Sequence, residues 1–354
     1  MPLIANSALP AFRKLEREGM TVLSSDRAAD QTIRELHIGI LNMMPDSALE
    51  ATERQFLRLV GNSNPVAQLN VHLFSLSELE RGEKAGQHIN AYYEDFADIK
   101  SAGLDGLIIT GANVSQPDLS QESFLQPLTE VIDWAEQHVT SILCSCLATH
   151  AVMQFKYDQL RQPLAEKCWG VYSHRVINNS HPLVSNTDTR FNVPHSRYND
   201  VPPSSFKNAG LKVLVQSPDV GVHMAVSNDS YKLVFLQGHQ EYDTISLTKE
   251  YKREILNYYQ QLRDDYPVFP HNIFDDRSRA ILDEYQQRVR EAKETGKEIP
   301  EFPESLISER LFNTWRDTAS AVMSNWVGMV YQLTNADRKL PLMDGLDPQN
   351  PLGL

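Results

Sequence analysis

Thr140-Ser-Ile-Leu-Cys-Ser-Cys-Leu-Ala-Thr-His150 decides the reading of this chain. A short apolar run stops at Cys146, and an amphipathic helical pattern (Leu147, Ala151, Val152, Phe155) begins at once. Such a strand–turn–helix join is the repeating unit of a parallel α/β sheet. A cysteine on the turn sits at a helix N-terminus, where the macrodipole and free N–H groups favour thiolate over thiol. Taken alone, a cysteine here is as consistent with a small buried hydrophobe.

The same pattern extends to both sides. Leu36-His-Ile-Gly-Ile-Leu41, Leu69-Asn-Val-His-Leu-Phe74 and Gly103-Leu-Asp-Gly-Leu-Ile-Ile-Thr-Gly111 read as strands. Residues 48–60, about 121–138 and 246–263 read as helices from their apolar spacing. The expected fold is a doubly wound, mostly parallel sheet flanked by helices. Residues 167–237 form a β-rich insert, and a C-terminal helix over about 305–333 is appended. Residues 1–35 read as an N-terminal arm and 36–335 as one catalytic domain. The charged stretch 275–300 reads as a solvent-facing helical insertion, and 336–354 as a loose tail.

In doubly wound sheets, ligands bind beyond the carboxyl ends of the strands. Gly111, Cys146 and His239 all fall at such ends. In Leu233-Val-Phe-Leu-Gln-Gly-His-Gln-Glu-Tyr242 an apolar strand runs into Gly238, then His239 and Glu241. On extended backbone these two side chains point the same way. An isolated His-x-Glu is more often a chance pair. Beside a strand–Cys–helix turn it suggests a Cys146–His239–Glu241 acyl-transfer site. Backbone N–H groups of Leu147 and near Ala112 would then face an oxyanion. Arg197 and Arg253 are candidate partners for a substrate carboxylate.

Composition narrows the classes. The 354 residues carry a net charge of −13, which disfavours a sequence-independent nucleic-acid binder. No apolar run approaches the roughly 18–20 residues that span a bilayer, and no secretory leader is evident, so a cytoplasmic location is expected. Three cysteines without zinc spacing make neither a disulfide framework nor a metal site.

The chain resembles the homoserine O-succinyltransferases built on the class I glutamine-amidotransferase fold. The resemblance runs from about Arg34 to Asn335. It rests on Ile38-Gly-Ile-Leu-Asn-Met-Met-Pro45, Gln55-Phe-Leu-Arg-Leu59, Gly106-Leu-Ile-Ile-Thr-Gly-Ala112, the Cys146 segment, Glu166-Lys167 with Gly170-Val-Tyr172, Pro194-His-Ser-Arg-Tyr198, Gly238-His-Gln-Glu-Tyr-Asp243, Phe269-Pro-His-Asn272, and Asn325-Trp326 with Tyr331-Gln332, in family order.

The resemblance implies ping-pong acyl transfer to L-homoserine in methionine biosynthesis. Cys146 would be the acyl-thioester nucleophile, His239 the base and Glu241 its partner. Lys167, Ser196 and Arg253 fall at substrate-contact positions, with Ser196 tied to amino-acid choice. Ser115 falls where the family sets the acyl donor, with Gly for succinyl-CoA and Glu for acetyl-CoA; a small neutral side chain leans towards succinyl. The sequence departs from the family at Asp46-Ser47, where a lysine pair is usual, and at Asn113, where Pro is usual. No metal, flavin or nucleotide cofactor is implied, acyl-CoA being a co-substrate, and a homodimer is expected. Alternatives are acyl transfer to another hydroxy amino acid such as serine, a glutamine-type amidase, and a non-catalytic binding module on the same fold.

Overall fold

The computed structural model describes residues 3–29, 33–63 and 67–354. The strands are β1 (Leu3–Ala5), β2 (Val22–Ser24), β3 (Glu35–Leu41), β4 (Gln68–Phe74), β5 (Gly106–Ile109), β6 (Ser141–Ser145), β7 (Gln162–Val176), β8 (Arg190–Asp200), β9 (Lys212–Ser217), β10 (Gly221–Val226) and β11 (Leu233–Leu236). The helices are α1 (Pro10–Arg17), α2 (Ser25–Ala29), α3 (Leu49–Gly61), α4 (Glu83–Tyr92), α5 (Phe96–Ala102), α6 (Leu125–His138), α7 (Leu147–Tyr157), α8 (Pro203–Asn208), α9 (Ser246–Tyr259), α10 (Asp276–Thr295), α11 (Glu304–Ser308) and α12 (Arg316–Leu333).

Among the described residues, the strands form one sheet in the order β2-β1-β4-β3-β5-β6-β11-β10-β9-β7-β8. Pairing is parallel from β2 through to β11 and antiparallel from β11 to β8. The expected mostly parallel α/β sheet with a β-rich insert is therefore what the chain forms. The parallel strands are apolar on both faces because helices cover both. Ile108 and Leu143 point to the face covered by α1, α3 and α12. Their neighbours Leu107, Ile109, Ile142 and Cys144 point to the face covered by α6 and α7. On the first face Tyr231 Oη donates to the Trp326 carbonyl (2.6 Å) and Trp326 Nε1 to Ser141 Oγ (2.9 Å), which fixes α12 to the sheet.

Several elements differ from the reading of the sequence. The segment 1–35 contributes β1, paired with β4, and β2, paired with β1; residues 1, 2 and 30–32 of it lie outside the described ones. Three-residue strands are too short to show a period. The helix expected over 305–333 is two helices. Asn313 Oδ1 accepts from the N–H groups of Trp315 and Arg316, which ends one path and starts α12. The charged helix α10 buries Leu282, Tyr285 and Val289 in a third cluster with Trp169, Tyr251 and Phe274. The segment after Thr334 forms no helix or strand, yet Leu342, Leu346 and Leu352 pack against the core.

One glycine joins β7 to this third cluster. Gly170 has φ 144, and a Cβ there would lie 2.4 Å from the His271 carbonyl oxygen. The close approach lets His271 N–H donate to the Trp169 carbonyl (2.8 Å) and Val171 N–H to the His271 carbonyl (2.9 Å). Gly170→Ala should strain the backbone and part these bonds, destabilising the protein by about 2–4 kcal/mol, read from urea unfolding.

Candidate active site

Parallel strands put their carboxyl ends on one edge. Four connections leave that edge together: Met44 after β3, Gly111 after β5, Cys146 after β6 and His239 after β11. All four residues line a single cavity of about 380 Å³, with Ser196, Tyr242, Glu250 and Arg253.

Cys146 occupies the turn itself, with φ 51 and ψ −110. A positive φ is uncommon for a side-chain-bearing residue and costs of the order of 1–3 kcal/mol. The surroundings hold it there. Cys146 N–H donates to the Leu236 carbonyl at 2.7 Å, and Thr149 Oγ1 bridges β6 and β11 by donating to the Cys144 carbonyl and accepting from Leu236 N–H. Leu147 is the first residue of α7, where N–H groups have no partner within the helix. Ala112, next to Gly111, lines the same cavity.

His239 is buried. Its N–H donates to the Pro194 carbonyl (2.8 Å), its Nδ1 bonds Glu241 Oε1 (2.8 Å), and Cys146 lines the same cavity. Tyr242 stacks on the ring, centroids 4.4 Å apart. Burial alone would push the imidazolium down, but Cys146 and the Glu241 carboxylate outweigh it and raise the pKa well above the usual histidine value. Gly238 gives the chain room to turn: a Cβ there would sit 2.5 Å from Val193 Cγ1 and 2.8 Å from the His195 ring.

Ser196 and Arg253 line the cavity, and Lys167 stands behind Glu250 rather than on the wall. Glu250 was not singled out from sequence, yet it is the hub of the far wall. It accepts from Ser196 Oγ (2.6 Å), Tyr242 Oη (2.8 Å) and Trp169 Nε1 (3.0 Å), and pairs with Lys167 Nζ (3.4 Å). Burial pushes its carboxyl up, but Lys167, Ser196 and Tyr242 outweigh this and hold it below the ordinary glutamate value. Its only sequence signal was one helical turn of separation from Arg253. Arg197 turns away: its guanidinium is buried on the Val220 carbonyl and Asp200. Ser115 lies in the exposed loop beyond Asn113, its N–H donating to Glu122 Oε1 (2.6 Å). Among the described residues, no group of His, Cys, Asp and Glu could hold a metal ion, and no helix is long and apolar enough to cross a membrane.

Behind Gly238 lie three further buried imidazoles. His174 stacks on His195, centroids 5.0 Å apart, with their Nε2 atoms 3.2 Å apart. His223 Nδ1 accepts from Gly238 N–H at 3.3 Å. Burial holds all three neutral: His174 falls to about 4, and His195 and His223 lie well below the usual value.

A family model described as homoserine O-succinyltransferase matches residues 2–336. Homoserine O-succinyltransferases from Methylobacter tundripaludum and Thiobacillus denitrificans are each 58% identical to this chain over 354 residues, covering 100% of both chains. That of Methylococcus capsulatus is 56% identical over the same span, again covering 100% of both. Among solved structures, a glutamine amidotransferase from Thermotoga maritima aligns with 84% of this chain and 98% of its own, at 11% identity and a TM-score of 0.46. The chain belongs to the homoserine O-succinyltransferase family.

The neutral histidines set an acid limit. The unfolded chain takes up protons on them near pH 6.5, whereas the folded protein does not until far lower pH. Stability is therefore full above 6.5 and falls as pH drops, by up to about 1.4 kcal/mol per pH unit for each histidine. His239 has the opposite sign, adding stability below 6.5 that is lost only as pH rises through its folded pKa. Urea midpoints between pH 7.5 and 5.0 should fall steeply, and His195→Gln should flatten that slope by about one proton.

Proposed function

We propose that this chain, an acyltransferase of methionine biosynthesis, moves a succinyl group from succinyl-CoA to homoserine through a thioester on Cys146. The observation that carries the reading is the thiol on the wall of one cavity with a buried His239 that Glu241 holds from behind. The succinyl donor is supported by the relatives' name, with acetyl-CoA as the competitor.

The Cys146 thiolate attacks the thioester carbonyl, forming a C–S bond. The resulting oxyanion meets the N–H groups of Leu147 and Ala112 in a water-poor site, where one such donor is worth roughly 3–4 kcal/mol. The intermediate collapses, and CoA leaves as the thiol with the proton from the His239 imidazolium. His239, now neutral, takes the proton of the homoserine γ-hydroxyl as that oxygen attacks the enzyme thioester. The C–S bond breaks, which regenerates thiolate and imidazolium together.

The far wall suits a zwitterion. Arg253 faces the α-carboxylate and Glu250 the α-ammonium, while Ser196, Lys167 and Tyr242 orient the Glu250 carboxylate. Ser115 is assigned to donor choice. Glu122 already presents its carboxylate to the Ser115 and Gln116 N–H groups, so a glutamate at 115 would add like charge where the succinyl carboxylate approaches.

Intact mass tests the reading directly. Wild type mixed with succinyl-CoA and no acceptor should gain one succinyl group, Cys146→Ala should gain none, and homoserine should discharge the label. A label that survives in Cys146→Ala, or that only serine discharges, would overturn it; ammonia release from glutamine would indicate the amidase alternative. The second half-reaction carries a pH signature. Glu241 raises the His239 pKa, and the ring must be neutral to act as base. Glu241→Gln should therefore shift the acid limb of acyl transfer to homoserine to lower pH, while the plateau rate falls about 10²–10⁴-fold, in single-turnover measurements.

A further inference from the structure

The thiol cavity does not end at α3. Its lining residues Arg54, Asp243, Ile245 and Lys249 also line a second, open groove of about 1570 Å³. Helix α3 is the shared wall: Ala51 and Gln55 face the thiol, and Arg58, Gly61 and Asn62, further along, face the groove. The opposite wall is the N-terminal segment, through α1 and the turn into α2, to which the proposed mechanism gives no role. The start of α12 closes the end.

Charge sets this groove apart. The chain carries −13 overall. Yet seven Lys and Arg side chains line the groove against two carboxylates, Glu18 and Asp243. The carboxylates are already engaged. Asp243 pairs with Arg54 (3.2 Å) and Arg58, and Glu18 pairs with Arg58 (2.7 Å). Arg17, Arg27, Lys249 and Arg316 make no ion pair with a described residue and are exposed. Such a set held together in an acidic protein faces self-repulsion unless an anion joins it. Between the cations lie Met20, Leu23, Ile33 and Leu311, an apolar floor for an uncharged arm or a base.

We infer that this groove binds the nucleotide end of the acyl donor, a 3′-phosphorylated adenosine diphosphate, and that Arg17 and Arg27 on one wall and Lys249 and Arg316 on the other take its phosphates. The inference rests on the proposed acyl transfer from CoA. The thioester then reaches Cys146 past Arg54 and Lys249, which line both spaces. The assignment also answers the departure at Asp46-Ser47. Asp46 is committed to Arg81 (3.4 Å) and to Gly82 N–H (2.8 Å), so the positive charge missing there is supplied from the N-terminal segment.

The test separates the donor tail from an unrelated nucleotide. Adenosine 3′,5′-bisphosphate should bind the wild type in calorimetry and compete with succinyl-CoA. The double variant Arg17→Glu/Arg27→Glu should bind it at least about tenfold more weakly, since each lost charge-assisted contact is worth about that factor. In the same variant, kcat/KM for succinyl-CoA divided by that for S-succinyl-N-acetylcysteamine, which lacks the nucleotide, should fall by a similar factor. The KM for succinyl-CoA should also rise with ionic strength. Lys249→Glu/Arg316→Glu repeats the test from the other wall, with thermal melting to confirm that each variant is folded. Non-competitive inhibition by the bisphosphate would overturn the assignment, as would affinities and donor ratios that neither double variant changes. A wild type that consumed neither donor, yet bound the bisphosphate through Arg27, would remove the acyl-transfer reading and leave the groove's ligand class standing.

Discussion

The constraint on which the site depends is the backbone at Cys146. A φ of 51 on a side-chain-bearing residue is maintained only when the surroundings over-determine it. Here strand pairing does so. The parallel register of β6 and β11 sets Cys144 beside Phe235 and Ser145 beside Leu236, and the next N–H, that of Cys146, donates to the Leu236 carbonyl. The bond that strains the turn is thus the last rung of the sheet. The same rung fixes the chain just before Gln237, Gly238 and His239, so Cys146 and His239 are positioned by one feature. Loosening β11 would move both together.

Much of this was legible in the sequence because it follows from short-range pattern. Apolar runs ending in Gly111, Cys146 and Gly238 marked strand ends, and the topology of a parallel sheet supplied their convergence. What was not legible depended on long-range placement. Glu250 is an ordinary helix glutamate until folding buries it against Lys167, Ser196 and Tyr242. Arg197 reads from sequence as a candidate partner for a substrate carboxylate, but strand pairing of β7 with β8 turns it onto Asp200. The joining of β1 and β2 to the sheet, and the packing of α10 on the third cluster, were hidden for different reasons. The first elements are too short for periodicity, and the second carries an apolar stripe thin beside its charge.

Electrostatics divides the site's tasks. Glu250 stays anionic through neighbours that donate hydrogen bonds or carry positive charge, and Arg253, three residues on, stays outside that network at the cavity mouth. The two present one pole of each sign to the same cavity. Further out, the cations of the groove lie beyond Asp243, whose pairing with Arg54 and Arg58 keeps those two from competing for an incoming anion. The overall negative charge is therefore unevenly spread, because the local field along α3 and the N-terminal segment has the other sign.

The imidazole cluster completes this logic. Four rings, His174, His195, His223 and His239, lie near one another, and a proton added to one raises the cost of protonating the rest. Of the four, only His239 has a carboxylate and the Cys146 side chain beside it; the others face backbone, one another and Arg197. A proton entering the cluster is thus driven to His239. Were His195 or His223 given a carboxylate of its own, the proton would have a second home beside His239, and that ring would lose its advantage without any change in its own contacts. The two ring nitrogens left without partners, His195 Nδ1 and His223 Nε2, are the cost of keeping those rings neutral.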